Sequence, residues 1–317
     1  MNKLVKKYDV IALVIIIILC MTGCGGKEDT KVKQKTEVDD FNKEITIEET
    51  VLLDEKGIVV TASELTYGKY GAELHLFIEN NSDSNYVVST GYIGGESICI
   101  NGQMVLDGYM DELVNSGESS EAIIEFGYSE LRSKGIYEIT EITMGFGLML
   151  ENDYNYIDRC WPYVIKTSST KDVSDFAGYK RGILDGTYNL INECTLDYFD
   201  EKTIFSENGV EIISQAVVTN EYGEKTLLLE TVNNSDEMYI YYVENVYING
   251  ILVADSELAK GTLFPGATNI IEINLYYFMG DDEEFEIYEF DDIKFDFILR
   301  NKDFDVVLDD VSVEYKH

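Results

Sequence analysis

Asn80-Asn81-Ser82-Asp83 returns 153 positions later as Asn233-Asn234-Ser235-Asp236. Ile100-Asn101-Gly102-x-x-Val105-x-Asp107 returns 148 positions later as Ile248-Asn249-Gly250-x-x-Val253-x-Asp255. The difference in offset falls in one place, where the Tyr86–Cys99 segment is longer than its counterpart Tyr239–Tyr247. Upstream, Leu52–Gly57 matches Ile204–Gly209; downstream, Ile142, Met144, Phe146 and Leu148 match Ile293, Phe295, Phe297 and Leu299. Four blocks in the same order mark an internal duplication. A period of about 150 residues is too long for a solenoid repeat and suits two complete domains.

Each copy is patterned as β-structure. Ile142-x-Met144-x-Phe146-x-Leu148-x-Leu150 alternates strictly, as does Ile293-x-Phe295-x-Phe297-x-Leu299, so one face of each strand is buried. Leu74, Leu76 and Ile78 alternate with the outward-pointing Glu73, His75 and Glu79. Asn-Asn-Ser-Asp is turn chemistry, because Asn and Asp tolerate left-handed backbone and bond their own main chain. Asn101-Gly102 and Asn249-Gly250 between apolar runs predict tight hairpins. Ser129–Gly135 predicts one short helix, with Ser129 as N-cap and Gly135 as stop. Long amphipathic helices are absent from the pattern after residue 45, so the expected fold is all-β, two tandem immunoglobulin-like β-sandwiches over residues 45–168 and 196–317. Residues 169–195 form a linker; Tyr179, Tyr188, Leu190 and Ile191 make part of it a strand candidate.

The succession of apolar strand, Asn-Asn-Ser-Asp turn, Ile-Asn-Gly hairpin and Gly-containing loop resembles the immunoglobulin-like modules of uncharacterised lipoproteins from low-GC Gram-positive bacteria. These motifs are structural turns. The resemblance implies a fold and an address, and carries over no catalytic residues.

The N-terminus points to the same address. Lys3, Lys6 and Lys7 precede the unbroken apolar stretch Val10–Met21. As a helix this stretch spans roughly 18 Å, short of the ~30 Å hydrocarbon core, which fits a signal-peptide core better than a mature transmembrane helix. Thr22-Gly23-Cys24 resembles a lipobox, which implies a diacylglyceryl group on Cys24, a signal peptide of residues 1–23 and a mature chain starting at Cys24. Two acyl chains suffice for stable anchoring. An ordinary signal peptide cleaved nearby, or an uncleaved short anchor, are the alternatives. Residues 24–44 read as a flexible polar tether, and the expected location is the outer face of the cytoplasmic membrane.

Removing residues 1–23 takes away three Lys and one Asp, leaving 21 Lys and Arg against 59 Asp and Glu, a net of −38 where the whole chain carries −36. Such a surface repels nucleic acid and anionic membrane, and leaves cations, basic proteins or envelope glycans as partners.

Candidate chemistry is sparse. Of the cysteines, Cys99, Cys160 and Cys194 remain after Cys20 and Cys24, and none has metal-ligand spacing. Cys160 and Cys194 could bridge; three isolated thiols is the plainer reading. His75 and His317 are the only histidines, and no G-x-S-x-G, P-loop, G-x-G-x-x-G or H-E-x-x-H occurs. No catalytic residue is assigned. Asp281-Asp282-Glu283-Glu284 and the Glu151–Asp158 stretch offer hard oxygen ligands for Ca²⁺, although neither fits the EF-hand register. Tyr239-Ile240-Tyr241-Tyr242, Tyr276-Tyr277 and Trp161 could present rings to a glycan or a protein; half-buried strand residues is the plainer reading. The expected role is therefore non-catalytic interaction, adhesion or display at the cell surface. A lipoprotein that binds a glycan or Ca²⁺ is the alternative, and a carboxylate-based hydrolase a distant third.

Overall fold

The structure, a computed structural model, describes residues 41–90, 98–173, 178–255, 257–274 and 291–316. In the first copy the strands are β1 (Thr50–Glu55), β2 (Ile58–Tyr67), β3 (Gly71–Asn80), β4 (Tyr86–Ser89) and β5 (Ile98–Ile100). They continue with β6 (Gln103–Val105), β7 (Asp111–Val114), β8 (Ser119–Gly127), β9 (Glu141–Leu150) and β10 (Asp153–Lys166). Strands β1-β2-β3-β8 form one antiparallel sheet. The other is built on β9, with β10 along one side and the pairs β4-β7 and β5-β6 along the other.

The second copy repeats this plan. Its strands are β11 (Cys194–Glu207), β12 (Val210–Asn220), β13 (Lys225–Asn233), β14 (Tyr239–Ile248) and β15 (Ile251–Ala254). β16 (Ala259–Leu263), β17 (Thr268–Asn274), β18 (Asp292–Asn301) and β19 (Val306–Lys316) complete it. The order β11-β12-β13-β17 reproduces β1-β2-β3-β8. Strand β14 does the work of β4 and β5 together, pairing β16, β15 and β18, while β19 lies beyond β18 as β10 lies beyond β9.

The chain is all-β, and its alternating strands account for two separate cores. Residues between Phe41 and Ile165 make the first, around Phe126, Phe146, Leu74 and Ile142. Residues between Phe205 and Tyr315 make the second, around Phe295, Phe297, Tyr241 and Leu229. Among the described residues the first core starts at Phe41, whose ring packs 4.9 Å from that of Tyr128.

The repeated turns carry repeated hydrogen bonds. Asn80, fully buried, donates to the Ser84 and Val114 carbonyls at 2.8 Å and accepts from the Ser82 N–H and Oγ. Asn233 donates to the Glu237, Leu263 and Phe264 carbonyls and accepts from the Ser235 N–H and Oγ. A short side chain that both donates and accepts closes the loop onto the neighbouring strand, so three backbone groups at Asn80 and four at Asn233 need no water. The hairpins at Asn101-Gly102 and Asn249-Gly250 have positive φ at both residues, near 50° and 80°, the backbone of a tight type I′ turn.

Several contacts join the copies among the described residues, including a strand pairing and a small core. A single parallel register pair, Thr268 with Gln103, links β17 to β6 and makes one continuous sheet across both sandwiches. Cys99 and Met104 of the first copy pack with Met238, Ile240, Phe264 and Ala267 of the second in a small third core.

Three short helices complete the described chain: α1 (Tyr128–Ser133), α2 (Gly178–Leu184) and α3 (Thr187–Ile191). The N-cap of helix α1 lies two residues earlier than the sequence suggests. Gly127 stands at its N-cap with no side-chain cap bond, so Ser129 is not the cap. Strand β8 runs straight into the helix, and the Gly127 N–H is satisfied by Asp107 Oδ2 at 2.8 Å instead. Gly135 terminates the turn at φ +71°. Helices α2 and α3 occupy the segment between the copies, where a strand was a candidate.

Candidate functional site

In the first copy, β2 and β3 carry a bulge between Ala62 and Glu64. The extra residue puts Ser63 and Glu64 together on the outer face of the sheet, where both are exposed. Strand β3 turns His75, Phe77 and Glu79 to the same face, while Leu74, Leu76 and Ile78 go to the core. Strand β8 adds Glu121 and Ile123, and β1 adds Val51. The register aligns Val51, Thr61, Phe77 and Glu121 in one row, and Glu64, His75 and Ile123 in the next.

The outcome is a shallow groove of about 670 Å³. Its floor is Thr61, His75, Phe77 and Ile123, and its rim carries Glu49, Glu64, Glu79 and Glu121, with no Lys or Arg among the lining residues. Ile123 is 54% and Phe77 37% exposed. His75 is half-buried rather than free on the surface: Nε2 shares a 2.9 Å hydrogen bond with Thr66 Oγ1 and lies 3.9 Å from Glu73 Oε2. Phe77 and Ile123 are the residues that sequence reasoning missed. Their signal was available, since Phe77 stands in phase with His75 and Glu79 on an alternating strand.

The equivalent face of the second copy is closed. The same bulge recurs between Ser214 and Ala216, and Gln215, Ala216 and Leu228 there are all buried. Helices α2 and α3 lie over them, with Ile183 and Tyr188 packed against Ala216, Val218 and Leu228. Lys180 of α2 pairs with Glu201 and draws on Glu230, the position matching Phe77. Burial and the neighbouring Glu201 nevertheless push the Glu230 carboxyl up to about 7. On its other side α2 meets α1 so closely that a Cβ at Gly182 would lie 2.0 Å from the Ser133 carbonyl.

The other candidates separate. Cys24 and Asp281, Asp282, Glu283 and Glu284 lie outside the described residues. In the Glu151–Asp158 stretch, Glu151 accepts from Asn85 Nδ2 and Asp158 pairs with Lys56, so the two acids serve different partners. Among the described residues no three His, Cys, Asp or Glu side chains converge as a metal site would require.

Cys99, Cys160 and Cys194 are free thiols. Burial, then Glu141, pushes Cys99 up to about 12, and burial, then Glu55, pushes Cys160 up to about 11. Burial also raises Cys194. Such thiols stay protonated near neutral pH and are poor nucleophiles. Tyr239 and Tyr241 are buried in the second core, Tyr241 stacked 6.0 Å from Phe297, so neither offers a ring to a ligand.

A second polar cluster is structural. Glu138 is buried and accepts from Asn42 Nδ2 and Lys171 Nζ, at 2.9 and 2.8 Å, and from Ser169 Oγ. Burial alone would raise its carboxyl; these hydrogen bonds hold it below the ordinary value. The cluster ties the chain entering the first sandwich to the chain leaving it.

No protein-family model matches the chain, and a comparison with curated proteins gives no match. Among solved structures, red sea bream transglutaminase is 9% identical, with 85% of this chain and 30% of that one covered at a TM-score of 0.19. Bacteroides uniformis β-glucuronidase 2 is 12% identical, covering 79% and 26% at 0.20. Amycolatopsis orientalis exo-chitosanase CsxA is 10% identical, covering 80% and 26% at 0.20. The chain spans less than a third of these structures, and likenesses at such TM-scores assign it neither family nor activity.

Proposed function

We propose that the chain is a non-catalytic, lipid-anchored protein of the outer face of the cytoplasmic membrane, working by contact with another envelope component. The observation that carries the contact role is the open outer face of the β1-β2-β3-β8 sheet. Phe77 and Ile123 stand exposed there beside Glu64 and His75, whose counterparts Ala216 and Leu228 the second copy buries under its own helices. Monomeric proteins keep such apolar faces small, and those that persist mark interaction sites. The anchor is supported by the order Lys3, Lys6, Lys7, Val10–Met21 and Thr22-Gly23-Cys24.

Cell fractionation of Cys24→Ser tests the anchor. The variant is expected in the soluble fraction or as an unprocessed precursor. Continued lipid-dependent membrane retention would refute it.

A further inference from the structure

We propose that the open outer face of the first sheet is a docking site for a short, basic, amphipathic helical segment of a partner protein. This rests on the contact role above and names the chemistry of the partner.

The molecule contains its own precedent. On the matching face of the second copy, a bulged strand pair is covered by a short helix that offers one apolar side chain, Ile183, and one cation, Lys180, a turn apart. The apolar group meets Ala216 and Leu228, and the cation meets Glu201 beside Glu230. The first copy presents the same two kinds of receptor at exchanged positions, with Phe77 and Ile123 where the second copy has Glu230 and Glu272, and Glu64 where it has Ala216. Phe77 and Ile123 form an exposed apolar floor, and Glu64 and Glu121 flank them in the adjoining register positions. No described element covers this face.

Charge selects the occupant. The rim is acidic throughout, so an incoming segment must carry Lys or Arg beside its apolar residues. A second copy of the chain is disfavoured, since two acidic rims would meet on molecules of net charge −36. An anionic bilayer is disfavoured for the same reason.

The test uses the full chain in detergent and a fluorescent Leu/Lys amphipathic peptide, with the matching Leu/Glu peptide as control. Anisotropy should report binding of the basic peptide alone, weakening as salt is raised. Phe77→Ser with Ile123→Ser should lower affinity about tenfold or more. Glu64→Gln with Glu121→Gln, which leaves the apolar floor intact, should lower affinity less and flatten the salt dependence. Equal binding of both peptides, or binding that ignores both double variants, would overturn the proposal. So would self-association of the wild type, seen by sedimentation, that Phe77→Ser with Ile123→Ser abolishes. If the peptide ignores this face while the anchored protein still contacts a surface partner through other residues, this inference falls and the contact role stands. If the peptide binds here and Cys24→Ser leaves membrane retention lipid-dependent, the anchor falls and this inference stands.

Discussion

The two copies share a bulged β-strand pair and treat its outer face in opposite ways. In the second copy Ala216 and Leu228 lie buried beneath Ile183 and Tyr188. In the first, the matching Glu64 and His75 look outward beside Phe77. The strand order, the bulge and the Asn-Ser turn are the same in both, so the difference lies in the outward side chains and in what covers them. Duplication supplied two equivalent sheet faces with different outward side chains, and the segment between the copies covers one of them. The face that a helix covers in one copy carries none among the described residues in the other, which is the basis of the proposed docking site.

The largest effect expected from this comparison is at matched positions on the two faces. Leu228→Ala removes a fully buried side chain and should cost about 2–5 kcal/mol in denaturant unfolding. His75→Ala, at the corresponding open position, should stay within about 0.5 kcal/mol. Equal costs would break the distinction between a covered and an open face.

A second pair probes what the copies share. Asn80→Ala and Asn233→Ala each strand several buried backbone groups and should each cost about 2–3 kcal/mol. A strongly unequal pair would show that one copy alone carries the fold's stability.

The smallest effect sharpens the account of the covered face. Glu230 has a carboxyl raised to about 7 by burial and by Glu201, against the pull of Lys180. A raised value means that the folded chain holds this proton more tightly than the unfolded chain. Its stabilising contribution is therefore complete below the ordinary 4.5 and is lost as the pH rises through about 7. The melting temperature should fall between about pH 5 and about pH 8, and Glu230→Gln should flatten that fall. An unchanged slope would mean that helix α2 does not bury the group.

Much of the fold is legible in the sequence because its signals are local. Ile142–Leu150 and Ile293–Leu299 alternate, since each strand hides one face. The Asn-Gly hairpins are readable because few residues accept positive φ, and the Asn-Ser turns because the repeat displays them twice. Helices α2 and α3 are less visible. At seven and five residues they are too short for periodicity to speak, and they stand on packing against the sheet. The candidate site was half legible. Alternation turns Phe77 outward, yet whether a strand's outer face is covered depends on a segment far along the chain. Tyr239 and Tyr241 show the converse: aromatic residues that look like ligand contacts on paper are core residues of a strand covered on both faces.

The parallel join between β6 and β17 carries a consequence of its own. Each strand is an edge of its own sandwich, and an uncovered edge invites pairing with foreign chains. In this molecule each edge is spent on the other, and Cys99 and Met104 are shielded by Ile240 and Phe264 in the same seam. A copy cut free would expose both an unpaired strand and an apolar seam, the two ingredients of aggregation. The duplication is therefore not a string of interchangeable beads; the two halves protect each other and must be inherited and folded as one.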